Sequence, residues 1–86
     1  MELGTRNQVV RSRAEEILSQ LRRVFATAIT AAKEAGELPG DLDADDLAEA
    51  ILVHLEGLFV IAKARNDAGV FERLPRDIRR MLALRS

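Results

Sequence analysis

Few side chains in this sequence are equipped for catalysis or metal binding. There is one histidine, His54, and no cysteine, which excludes a Cys–His dyad and any thiolate metal site. Ser12, Ser19 and Ser86 lack the flanking glycines of a nucleophile elbow. His54 and Glu56 stand two apart, so on a helix they face different sides, and no His-x-x-x-His or Glu-x-x-His pair occurs. No glycine-rich phosphate loop follows a strand pattern. No catalytic, metal or cofactor site is expected. His54 has Ala50, Gly57, Leu58 and Ile61 as helical neighbours, an apolar surface. Its ring nitrogens are expected to find a backbone or side-chain partner in a core or an interface. Gly57 stands in mid-helix, where glycine costs about 1 kcal/mol against alanine. The expected reason is close approach by another helix.

The elements that carry these residues are legible from periodicity and punctuation. In the first segment Val10, Ala14, Leu18, Leu21, Phe25, Ala28, Ala32 and Ala35 recur in steps of four and three, and Ile17, Val24 and Ile29 widen the stripe. Thr5 and Gln8 have the spacing of a capping box, and Gly36 suits a left-handed stop before Pro39-Gly40. This predicts a helix over about residues 6–35. Asp43 is a candidate N-cap for a second helix over about 44–66, with Asp45 and Asp46 at the favourable end of its dipole. A third element is expected over about 70–84, with Pro75 near its first turn and Ile78, Met81 and Leu82 as its apolar stripe. The connections are short, so sequential helices should pack antiparallel within a single domain, 1–86.

The second helix is apolar on two sides. Leu47, Ala48, Ile51, Leu55, Leu58 and Ala62 form one set, and Leu52, Val53, Phe59 and Val60 another. A helix apolar nearly all round is buried on more than one side. A chain of 86 residues hides only roughly 60% of the surface its unfolded form exposes. With 48% hydrophobic residues, this one is expected to cover the remainder with a second copy, as a homodimer.

Thirteen basic and fourteen acidic residues leave a net charge of −1, without the basic excess of a self-sufficient nucleic-acid binder. Arg22-Arg23 and Arg79-Arg80 are read as solvated helix faces. The stretch Ala50–Ala62 is too short to span a bilayer and is broken by His54 and Glu56. The N-terminus shows no basic region followed by an apolar one, so a cytoplasmic, membrane-free protein is expected.

Three features in order resemble the C-terminal domain of the tetracycline-repressor-like (TetR) family. These are the helix stop Lys33–Leu38 (KEAGEL), the acidic turn Asp41-Leu42-Asp43, and the helix core Leu55-Glu56-Gly57-Leu58 (LEGL). The closing helix Pro75–Leu84 matches in place and length, and the likeness runs from about Arg11 onward. It implies an all-α domain whose last two helices pair with a second copy into a four-helix bundle. On that likeness the pairing face comprises Leu47, Ile51, His54, Gly57 and Leu58 with Ile61, Ile78, Met81 and Leu82. A small, often apolar effector would sit in a pocket bounded by Leu21, Phe25, Ile29, Leu55 and Phe59. DNA contact in the family comes from a helix-turn-helix head that precedes this region and is absent from this chain.

Two rival readings differ in class. A stand-alone homodimerisation module needs the apolar faces and no ligand. A small dimeric helical enzyme of the chorismate-mutase type needs cationic side chains turned into a cavity. Arg22, Arg23, Lys33 and Lys63 lie mainly off the apolar stripes, which argues against the enzyme.

Overall fold

Helix α1 (Glu2–Glu34) runs for 33 residues because nothing in its sequence stops it before Gly36. The computed structural model describes the backbone of residues 2–84 and the side chains of residues 7–83. The helix starts earlier than expected, so Thr5 lies inside it and is not its N-cap; the Thr5 side chain is outside the described residues. Glu2, Leu3 and Arg6 are good helix formers, and propagation through them outweighs the capping signal.

Its end has the geometry foreseen for glycine. Gly36 takes a φ of 78°, the Glu37 N–H donates to the Ala32 carbonyl at 2.9 Å, and the Gly36 N–H to that of Lys33 at 3.1 Å. This is a Schellman stop, in which a left-handed residue lets the chain satisfy the last carbonyls of the helix. The Lys33 ammonium donates to the Leu42 carbonyl, and the Leu42 N–H donates to the Pro39 carbonyl at 3.2 Å. The turn is thereby tied to the end of α1, and the Leu42 side chain is buried.

Asp43 caps α2 (Ala44–Arg65): its carboxylate accepts the Asp46 N–H at 3.1 Å. Asp45 and Asp46 in the first turn and Lys63 and Arg65 in the last agree with the helix dipole. The helix ends on a second Schellman stop, with Asn66 at φ 50° and the Asp67 N–H on the Ala62 carbonyl at 2.9 Å.

The third expected element is divided. A 3-10 helix (Ala68–Arg73) precedes α3 (Leu74–Leu84). The Asp67 carboxylate accepts the Gly69 N–H at 2.8 Å and opens the 3-10 segment. Pro75 explains the break: it has no N–H to give the Phe71 carbonyl, which instead accepts from Leu74 in the tighter 3-10 pattern. Regular α-helix begins only there.

Among the described residues there is no strand, so the all-α class holds. They form two compact units, Met1–Glu49 and Ala50–Ser86, with the boundary inside α2. Ile29, Leu42 and Ala48 are the buried apolar residues of the first; Ile51, Leu52 and Leu58 are those of the second.

The two turn signals have testable costs. Gly36→Ala should lower the unfolding free energy by about 1–2 kcal/mol, because a Cβ is strained in the left-handed region. Asp43→Ala should cost about 1 kcal/mol through the lost cap. Urea denaturation followed by circular dichroism measures both, and a Gly36→Ala variant as stable as the parent would show that this turn does not end α1 as described.

Candidate functional site

His54 finds its partner on α3. Its Nε2 lies 2.7 Å from Oδ2 of Asp77, with the two side chains 32% and 8% exposed. Asp77 is the buried charged residue of the second unit. A carboxylate shielded from water needs compensation, and three groups supply it. The imidazole makes the hydrogen bond, Arg73 Nε stands 3.9 Å away, and Arg76 Nε 3.8 Å away. The His54 hydrogen bond is the largest influence and holds the Asp77 carboxyl below the usual carboxylate range. Burial opposes it, and the charges of Arg73, His54 and Arg76 reinforce it. No buried side-chain nitrogen or oxygen is left without a partner among the described residues.

This arrangement ties α2 to α3. Among the described residues no group of three His, Cys, Asp or Glu is arranged to hold a metal ion. Sequence analysis expected a polar partner for His54 but did not identify Asp77 as that partner. The only available signal was that the one apolar-face histidine needed a polar partner.

The expected pairing residues are divided by the structure. Ile51 and Leu58 are 7% and 4% exposed and belong to the chain's own core, so a face containing them would require that core to open. Leu47, His54, Ile78, Met81 and Leu82 are half-buried; Gly57 and Ile61 are exposed. The large exposed apolar residues of α2 lie elsewhere, at Val53 (62%), Phe59 (58%) and Val60 (68%), together with Ile61. The helical period marked two apolar sides of α2, and period alone does not say which of them faces inward.

The expected pocket residues are likewise mixed in exposure. In the first unit Ile29 is buried, Phe25 half-buried and Leu21 exposed. In the second, Leu55 is half-buried, and Phe59 stacks edge-to-face on Phe71 with ring centres 4.8 Å apart. A groove of about 520 Å³ on the first unit, open to solvent, includes Arg23, Thr27, Thr30, Glu34 and Asp45 in its lining and none of the expected pocket residues. α1 also leaves Val10, Ile17 and Val24 exposed.

Asp77 gives the fold a defined acid response. Unfolded, its carboxyl titrates near the ordinary value of 3.8; folded, it titrates lower. Its ionised form therefore stabilises the fold above that ordinary value, and the contribution disappears as pH falls through the folded value. Thermal melts from about pH 7 down to about pH 2 should show the parent losing stability more steeply at the acid end than Asp77→Asn. Parallel curves would remove Asp77 from the account.

Neither a curated protein nor a solved structure matches the chain. A family model does, over residues 1–78, and its description is "Tetracyclin repressor-like, C-terminal domain".

Proposed function

The chain belongs to the tetracycline-repressor-like C-terminal domain family, and from that premise we propose that it is the dimerisation and effector-binding part of a transcriptional regulator. DNA contact, on this reading, is made by a helix-turn-helix domain outside these 86 residues. The balanced charge of −1 agrees, since a polyanion-binding surface ordinarily carries a basic excess. Regulation in the cytoplasm goes with the same reading. Among the described residues no helix is long and apolar enough to cross a membrane.

The observation that carries the proposal is the exposed face of α2. Val53, Val60 and Ile61 stand in water on one side of this helix. Fully burying one such side chain is worth about 1.5–3 kcal/mol, and a soluble chain that leaves several together is marked for association. A second copy is the partner that the family reading supplies. The effector class follows from the same chemistry: half-exposed Phe59 and Phe71, stacked edge-to-face, favour an apolar or aromatic small molecule.

Sedimentation equilibrium should show a dimer, and Val60→Asp should shift it toward monomer by at least tenfold in dissociation constant. A chain monomeric at every concentration would overturn the dimerisation reading. A screen of apolar and aromatic compounds by thermal melting tests the effector. A ligand at one hundred times its dissociation constant should add about 2.7 kcal/mol of stability, and a screen with no shift leaves an association module without ligand.

A further inference from the structure

We propose that two copies of α2 cross antiparallel at Gly57, with the acidic start of each helix against the basic end of the other. This rests on the dimer reading above and names the geometry by which it is met.

Gly57 is the first support. A Cβ built at Gly57 would meet no atom within 4 Å, so nothing in its own chain requires a glycine there. The residue still carries the helix-propensity cost of glycine, which is explained if a second backbone comes close from outside. The surroundings fit that role. Ala50, Val53, Val60, Ile61 and Ala64 are exposed and share one side of α2 with Gly57, at spacings of three and four. That side lies opposite the buried residues Ala48, Leu52 and Leu58. Apart from Val60, whose mirror position is His54, the stripe is also symmetric about Gly57. In an antiparallel pair with two-fold symmetry, Gly57 meets its own copy, Val53 meets Ile61, and Ala50 meets Ala64.

Charge sets the direction. Glu49, Glu56 and Lys63 recur every seven residues along one flank of this stripe, and all three are exposed. In antiparallel helices a flank meets the same flank of its partner, which places Lys63 beside Glu49 twice over, in addition to the Arg22 guanidinium that stands 3.8 Å from Glu49 within the chain. Asp45 and Asp46 in the first turn and Lys63 and Arg65 in the last give the same polarity to the helix ends. A parallel pair would put acid against acid and base against base. Like charges remain at one point only: Glu56 lies next to the axis, close to its own copy.

Sedimentation equilibrium on the whole chain provides the test, with circular dichroism as the check on folding. Gly57→Leu should weaken the dimer at least tenfold while helicity is kept, because the space around Gly57 is open in the single chain. Glu56→Gln should tighten it several-fold, a gain that damage to the fold would not produce. Glu49→Lys and Lys63→Glu should each weaken association in low salt, and the double reversal should restore it. If Val60→Asp breaks the dimer while Gly57→Leu and the charge reversals leave it unchanged, the crossing is wrong and the dimer reading stands. If single reversals weaken the dimer and the double reversal does not recover it, the antiparallel direction is overturned. A parent chain that is monomeric throughout removes both.

Discussion

Helix α2 carries apolar side chains on opposite faces, and the folded chain covers only one of them. Ile51, Leu52 and Leu58 go inside; Val53, Val60 and Ile61 stay out. Other features of the molecule are arranged around that division. The Asp43 cap and the Asn66 stop set where the helix begins and ends. Asp77 fastens α3 to it through His54. A short helical chain has little surface to spare, and hydrophobic burial is the main term opposing chain entropy. A face left in water on the central helix is therefore better understood as unfinished burial than as decoration.

The His54–Asp77 contact solves a separate problem. α3 is short and carries Pro75 in its first turn, so its backbone link to the segment before it runs through the Leu74 N–H to the Phe71 carbonyl. Its apolar stripe of Ile78, Met81 and Leu82 is only half-buried. A charged acceptor shielded from water makes stronger hydrogen bonds than an exposed one, and it has a definite direction that an apolar stripe lacks. The two arginines at Asp77 spread the compensation over several groups. They are more than half exposed, so water screens them and the imidazole contributes most.

Punctuation in the sequence was a good guide to the fold. Gly36, Asp43 and the acidic first turn of α2 act through local backbone chemistry, and all three appear where their residue types require. Local chemistry also explains the errors. Thr5 has the spacing of a cap although nothing before it prevents helix; Pro75 stands in the first turn of α3 as expected, and only the 3-10 form of Ala68–Arg73 before it is not foreseen. The candidate site was less legible. Whether Leu58 or Val60 faces inward depends on what packs against α2, and both sit in equally apolar surroundings in the sequence. Asp77 stands in the first turn of α3, where an acid is ordinary; its burial is a tertiary fact, and 23 residues separate it from His54.

Because His54 is the chain's one imidazole, the junction between α2 and α3 carries its own spectroscopic label. In a proton or nitrogen NMR spectrum the ring gives signals free of overlap from any other histidine. The absence of tryptophan and tyrosine leaves the aromatic region to three phenylalanines, two of which, Phe59 and Phe71, stack on each other in the same unit. A few resolved resonances thus report on the packing of the C-terminal unit without isotope editing of the whole protein.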